Sequence, residues 1–212
     1  MFNIAAMVAI ASDVVPVAAA YAARKRLPQD LLILAVLLCL YLGMDLVAAT
    51  MALNGIRNLW LGNLEACADF PVLVWIFHRW EPQPRNKAIL RGLIVASIPL
   101  WALTQWQVGG IQRYNFAGRS IQSIVLSALA IAFLHRFAVY GDERPWTNPR
   151  FLVALAVLLQ FAGSIFAFSF GFLMETKQMV AIWRLRNVMS TLSNLVFAGG
   201  FWCLRQSGAT GG

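Results

Sequence analysis

Four carboxylates, Asp13, Asp45, Glu65 and Asp69, stand inside long apolar runs of this sequence. An ionisable side chain at the centre of a membrane helix costs about 2.5–3.5 kcal/mol on insertion scales. Acids kept there are therefore candidates for holding an ion, a proton or a ligand. Cations and amides elsewhere in the chain could answer them. Asn115, Arg119, Gln122 and Ser123 recur at the spacing of one helical stripe. Arg184, Asn187, Thr191 and Asn194 do the same at offsets of three, seven and ten. Arg186, Ser190 and Ser193 adjoin that second stripe, which leaves Leu185, Val188, Met189, Leu192 and Val196 for the opposite, lipid-facing arc. Gln160 and Ser164 form a further pair one turn apart.

The depths of these groups follow from the helical rise of 1.5 Å per residue. Asp45 precedes Leu53, the end of its apolar run, by eight residues, and so lies about 12 Å below it. Glu65 follows Leu59 by six residues, about 9 Å down the next run in the opposite direction. The two should meet at similar height. Asp69 falls one turn deeper on nearly the face of Glu65, and Asp13 near mid-membrane. Apart from Asp13, Gln160 and Ser164, the polar groups share the outer half. The expected ligand-binding set is Asp45, Glu65, Asp69, Asn115, Arg119, Gln122, Arg184, Arg186, Asn187, Thr191 and Asn194. It implies a polar cavity, acid-lined on the second and third helices, cation- and amide-lined on the fifth and seventh, and open outward. Acid–arginine pairs and amide contacts also hold bundles together without a ligand. About ten polar groups at one depth cost more than such gluing requires.

The elements that must carry these residues are transmembrane helices. The chain has 212 residues, 60% hydrophobic and 12% charged, with a mean hydropathy of +0.68. A soluble domain carries about 25% charged residues. At ~20 apolar residues per span, the runs predict seven spans at 2–23, 31–53, 59–78, 89–106, 117–138, 151–173 and 180–203. Breaks of Pro, Gly and charge separate them at Arg24-Lys25-Arg26-Leu27-Pro28, Asn54-Gly55-Ile56-Arg57-Asn58, Glu81-Pro82-Gln83-Pro84-Arg85, Gly109-Gly110, Gly141-Asp142-Glu143-Arg144-Pro145 and Glu175-Thr176-Lys177. The expected fold is an all-α polytopic bundle of one leading helix plus three hairpins. It forms a single domain over 1–205, with a flexible tail at 206–212. His78-Arg79 and His135-Arg136 close two of the hairpins alike.

Charge placement predicts orientation. Loops one, three and five carry Arg24, Lys25, Arg26, Arg79, Arg85, Lys87, Arg91, Arg136, Arg144 and Arg150, and the tail region adds Arg205. The positive-inside rule puts these in the cytoplasm and the N-terminus outside, in a bacterial inner membrane. Met1-Phe2-Asn3 carries no Lys or Arg, so the first span reads as a retained helix and not a cleaved signal. The formal charge of +8 and pI near 10.1 lie at span ends, and nucleic acid is not an expected partner.

Other chemistries find little support. Retinal needs a Schiff-base lysine within a helix, whereas Lys25, Lys87 and Lys177 read as loop residues. His78 and His135 read as snorkelling His-Arg pairs and not as haem ligands. Cys39, Cys67 and Cys203 have no paired spacing and read as small buried packing residues, with no metal site. Trp60, Trp80, Trp101, Trp106, Trp146, Trp183 and Trp202 sit near span ends as an interfacial belt would. Pro16, Pro71 and Pro99 fall inside spans. No Gly-rich phosphate loop and no Ser/His/Asp set appears, and an enzyme is not expected.

At Asn58-Leu59-Trp60-Leu61, Asn63, Asp69-Phe70 and Asn115-Phe116-Ala117-Gly118-Arg119-Ser120-Ile121-Gln122-Ser123 the chain resembles an uncharacterised family of small seven-span bacterial membrane proteins. The likeness covers most of the chain. Members tend to have His where Asn63 and Arg186 stand, and Glu near Asp69 and Gln122, so proton or metal chemistry would differ here. The resemblance implies the topology and the outer-half site, and brings no activity with it. The leading expectation is a membrane sensor or binding protein with an outward pocket for a small ligand or ion. One alternative is a small transporter or channel that uses Asp45, Glu65 and Asp69 for cation or proton coupling. Another is a membrane subunit that packs against a partner protein or binds pigment or lipid. Stretches 31–40, 72–77, 129–133 and 195–201 are almost wholly apolar, which favours a one-sided pocket over a carrier.

Overall fold

Proline and glycine set the helix ends. Pro28 precedes α2 (Gln29–Leu53), and Pro84 opens α4 (Pro84–Gln107), where its missing N–H removes nothing from the helix. Gly55 follows α2 at φ 69°, and Gly109 and Gly110 follow α4 at φ 86° and 100°, left-handed turns that a side chain would oppose. Asn148 caps α6 (Pro149–Phe170), its Oδ1 accepting from the Arg150 amide at 2.9 Å. The remaining helices are α1 (Ile4–Ala23), α3 (Leu59–Trp80), α5 (Phe116–Tyr140) and α7 (Thr176–Gln206), with short 3-10 turns at Arg24–Arg26 and Pro145–Thr147.

The computed structural model describes residues 4–140, 144–170 and 176–206, and within them the fold is all-α with seven long helices. The breaks expected at Gly141-Asp142-Glu143 and Glu175, residues 171–173 of the sixth span and residues 207–212 of the tail lie outside the described residues. Six helices, α1 to α6, are long and apolar enough to cross a membrane. The seventh differs because Arg184, Arg186, Asn187, Ser190, Thr191, Ser193 and Asn194 crowd into its first two-thirds. Three helix starts shift from expectation: α2 takes in Asp30, and α4 and α7 take Lys87 and Lys177 into their first turns.

Six of the helices close a ring, α1–α2–α3–α5–α6–α7, with α7 packed back against α1. Helix α4 stands outside it and leans on α3 more than on α5, so the expected middle hairpin is splayed. Large apolar side chains cover the perimeter, among them Val14, Leu32, Leu46, Val95, Ile124 and Leu192. Cys39 also faces outward, and Cys67 and Cys203 are half-buried, so none is the fully buried packing residue expected. Met189 departs from its expected lipid-facing arc and packs on α6. A Cβ at Gly163 would lie 2.6 Å from Met189 Cγ and 2.7 Å from its Cβ. Gly163→Ala must therefore push α6 from α7, and overpacking of this kind costs about 1–3 kcal/mol. Its melting temperature in detergent should fall, while that of Gly92→Ala, where the Cβ meets nothing, should not.

The end carrying the α2–α3, α4–α5 and α6–α7 connections is called upper here. The lower end is sealed. Phe77, Trp80, Phe133 and Phe137 interlock, with Phe77 and Phe133 stacked at 4.9 Å. Trp80 is buried and donates to Asp30 Oδ2 at 2.6 Å, and Arg136 bonds Glu81 at 3.0 Å and the Trp80 carbonyl at 2.6 Å. Trp80 thus leaves the interfacial belt, as does Trp101, which donates to the Asn63 carbonyl at 3.1 Å. Trp106, Trp146 and Trp202 remain exposed.

Candidate functional site

Above the aromatic seal the ring encloses a cavity of about 190 Å³ between α1, α2, α3, α6 and α7. That is room for about six waters at ~30 Å³ each. Its lower walls are Leu34, Leu37, Leu38, Leu73, Phe161 and Phe197, and its upper walls are Asp13, Tyr41, Asp45, Glu65, Gln160, Arg186, Asn187, Ser190 and Asn194. A vestibule of about 170 Å³ lies above, sharing Asp45, Glu65 and Arg186 with the cavity and bounded by Asn58, Gly62, Tyr114 and Trp183.

Behind one wall stands an ion-paired triad, of which Glu65 reaches the cavity. Arg119, 3% exposed, reaches Asp69 Oδ2 at 2.5 Å and Glu65 Oε1 at 3.2 Å; Asp69 is 1% exposed and Glu65 20%. The sequence brings them together as read: Glu65 and Asp69 are one turn apart on α3, and α5 meets that face. Asp69 is spent on the arginine, whereas Glu65 also borders cavity and vestibule. The ring of Phe168 lies under both arginines, 5.8 Å from Arg119 and 5.6 Å from Arg186, and Trp183 lies 5.1 Å from Arg186. Tyr114 joins Phe168 and Trp183 over the mouth, with centroids 5.7 Å and 6.2 Å away. It fits because α3 has Gly62 below it, where a Cβ would come within 2.9 Å of the ring. Burial pushes the Tyr114 hydroxyl above its ordinary range, against the pull of Arg119 and Arg186.

Opposite the triad, α1 contributes Asp13. Its Oδ1 accepts from Asn194 Nδ2 at 2.6 Å, and that amide also donates to Ser12 Oγ at 2.9 Å. Asp45 of α2 stands beside Asp13 on the cavity, the two carboxyl groups within hydrogen-bonding reach of each other. Several polar atoms are buried with no partner among the described residues: Asp13 Oδ2, Tyr41 Oη, Asp69 Oδ1, Arg119 Nε and Arg186 Nε.

Of the residues expected at the site, Asp45, Glu65, Arg186, Asn187 and Asn194 line the cavity, and Asp69 and Arg119 stand behind its wall. Four lie elsewhere. Asn115 precedes α5 and caps it, its Oδ1 accepting from the Gly118 amide at 2.8 Å. Gln122 donates to the Ala66 carbonyl at 3.1 Å and borders an apolar groove beside α4. Arg184 is exposed, and Thr191 turns back to the Asn187 carbonyl at 2.9 Å. The polar arc of α7 is wider than the cavity. At roughly 100° per residue, Arg184 and Thr191 fall 40–60° to one side of Asn187, while Arg186, Ser190 and Phe197 fall 60–100° to the other, where the cavity is.

Asp13 and Gln160, expected outside the cluster, line the same cavity as Asp45. Tyr41 was legible as the residue one turn before Asp45. Tyr114 and Phe168 had no signal in spacing. Among the described residues no group of three His, Cys, Asp or Glu side chains is placed to hold a metal ion. No protein-family model, curated protein or solved structure matches this chain.

Proposed function

We propose that this chain is a seven-span membrane protein of a bacterial inner membrane that binds a small ligand in a pocket open to the outer face, as a sensor or binding protein. The observation that carries the reading is the cavity itself. It holds polar atoms without partners among the described residues above and apolar walls below, and pockets of this mixed kind bind small molecules. A bundle held only by polar glue would satisfy those atoms internally.

Seven spans are supported by the place of α7 in the ring, between α1 and α6, since it must cross the layer they cross. Its polar residues face inward to a large extent, and that is why its hydropathy is low. The arginine-rich lower end, with Arg24, Arg26, Arg136, Arg150 and Arg205, supports a cytoplasmic lower face. The aromatic seal there favours one-sided binding over alternating access, which would need a polar path past mid-membrane.

Two measurements test this. A fluorescent protein fused after Gly212 should fluoresce and alkaline phosphatase fused there should be silent; six spans would put the two termini on one side. In a background of Cys39→Ala, Cys67→Ala and Cys203→Ala, Ser190→Cys should react with a membrane-impermeant maleimide added outside intact cells, and Leu37→Cys should not. An unreactive Ser190→Cys would overturn the pocket.

A further inference from the structure

The carboxylates of the cavity outnumber its cations. Glu65 and Asp69 share Arg119. Asp13 and Asp45 face each other from α1 and α2, and neither forms an ion pair among the described residues. Asp13 is 9% exposed; one of its oxygens is held by Asn194, and Oδ2 has no nitrogen or hydroxyl donor among the described residues. The two carboxyl groups lie within hydrogen-bonding reach of each other, so one must keep a proton to donate to the other unless a cation brings donors in its place. The Asn194 amide is committed to Ser12 and Asp13, and Arg186 lies against the rings of Phe168 and Trp183.

A second feature points the same way. The hydroxyl of Tyr41, one turn before Asp45 on α2, is buried on this cavity without a partner among the described residues. Tyr41, Asp13 Oδ2 and Asp45 thus present acceptors toward one space, and an ammonium group carries three donors. Directly below stand Leu37, Leu38, Phe161 and Phe197. An occupant that satisfies both halves has a donor-bearing cation at one end and a compact apolar body at the other. A metal ion would leave the apolar half without a role, and no three ligating side chains are gathered for one among the described residues.

We infer that the pocket recognises a small organic amine as its ammonium ion, with the charged nitrogen against Asp13 and Asp45, in place of the proton they share, and the apolar body against Leu37, Phe161 and Phe197. This deepens the pocket reading above and rests on it. Asp13 and Asp45 are the specificity-determining pair. Arg186, at the boundary with the vestibule, disfavours a second positive group, so monoamines are preferred to diamines.

The test is a titration of the purified full chain at pH 7 with n-butylammonium, with n-butanol and butyrate as neutral and anionic matches. Butylammonium is expected to raise the melting temperature saturably, and the matches are not. A charge-assisted hydrogen bond contributes about 1.5–3 kcal/mol, so Asp13→Asn and Asp45→Asn should each weaken the midpoint by about tenfold or more. To avoid reliance on variants that fold poorly, butylammonium is also expected to slow maleimide labelling of Ser190→Cys in the cysteine-free protein with both aspartates intact. Equal stabilisation by butanol or butyrate, an undiminished effect in both Asn variants, or no protection of a reactive Ser190→Cys would overturn the amine while leaving the pocket. A Ser190→Cys that never reacts would overturn both.

Discussion

Arg119→Met is expected to destabilise the bundle by about 3–5 kcal/mol, the usual cost of removing one partner from a buried ion pair. Arg119 lies between two carboxylates and is itself almost wholly inaccessible. Without it, Asp69 stays in the α3–α5 interface with no counter-charge and no route to water. The two acids should not respond alike. Glu65 is one-fifth exposed, sits 3.2 Å from the guanidinium and borders the cavity, so Glu65→Ala should cost about 1 kcal/mol or less, as partly solvated pairs do. Asp69→Ala leaves Arg119 with its remaining partner only and should cost several times more. The double variant Asp69→Leu with Arg119→Met replaces the buried pair by apolar volume and should recover most of the loss. Denaturant unfolding in detergent measures all four. Parent-like stability of Arg119→Met would show that the triad is not the buried structural pair described. A Glu65→Ala loss as large as that of Asp69→Ala would take Glu65 out of the cavity and into the scaffold.

Helix count and type were readable because each apolar run ends in Pro, Gly or charge. The arrangement of the helices was not. Nothing in α4 marks it as the helix outside the ring, since of its few buried polar residues Ser97 bonds back to Ile94 and Thr104 and Gln105 serve the α4–α5 loop, as they could equally in a ring position. The shared height of Asp45 and Glu65 followed from counting residues along two antiparallel helices joined by a short turn, and such local geometry transfers well. Asp13 did not follow, because its partner Asn194 is 181 residues away and the ring must close before they meet.

The misplaced residues share one cause. Helical spacing fixes relative angle along one helix but neither its absolute rotation nor its first residue. On α7 the polar arc was identified and its centre was set some 60° off, which admitted Arg184 and Thr191 and underrated Ser190. On α5 the stripe of Asn115, Arg119 and Gln122 ran one residue past the helix start. An Asn followed three residues later by a Gly amide is equally a helix cap, and the capping role prevails. Asp30 was passed over because α2 begins two residues earlier than its apolar run.

The same cap leads to a second large effect, at Asn63. Asn63 is fully buried, and each of its polar atoms is used. Nδ2 donates to the carbonyls of Ile111 at 2.9 Å and Arg113 at 2.8 Å, and Oδ1 accepts from the Asn115 amide at 3.1 Å. Asn115 then donates to Thr104 Oγ1 at 2.8 Å and caps α5, while Gln105 holds the Gly110 carbonyl at 2.6 Å. One side chain of α3 thus fixes the α4–α5 loop, the start of α5 and, through them, Tyr114 over the mouth. Asn63→Leu keeps a similar branched shape but strands the Ile111 carbonyl and the Asn115 amide, and leaves the Arg113 carbonyl only its bond from Gln105 at 3.2 Å, at about 1–3 kcal/mol for each group that water cannot reach. A loss of about 3 kcal/mol or more is expected, together with faster amide exchange over 110–116. Asn63→His, with one donor and one acceptor when neutral, should fall between. Because Tyr114 covers the vestibule, Ser190→Cys should label faster in the Asn63→Leu background at temperatures where the bundle stays folded. Gln105→Ala, which removes bonds to the loop but spares the cap, should lose less stability and change labelling less. If Asn63→Leu matched the parent in both stability and labelling, the loop would be held by something other than this amide, and Tyr114 would not govern access to the pocket.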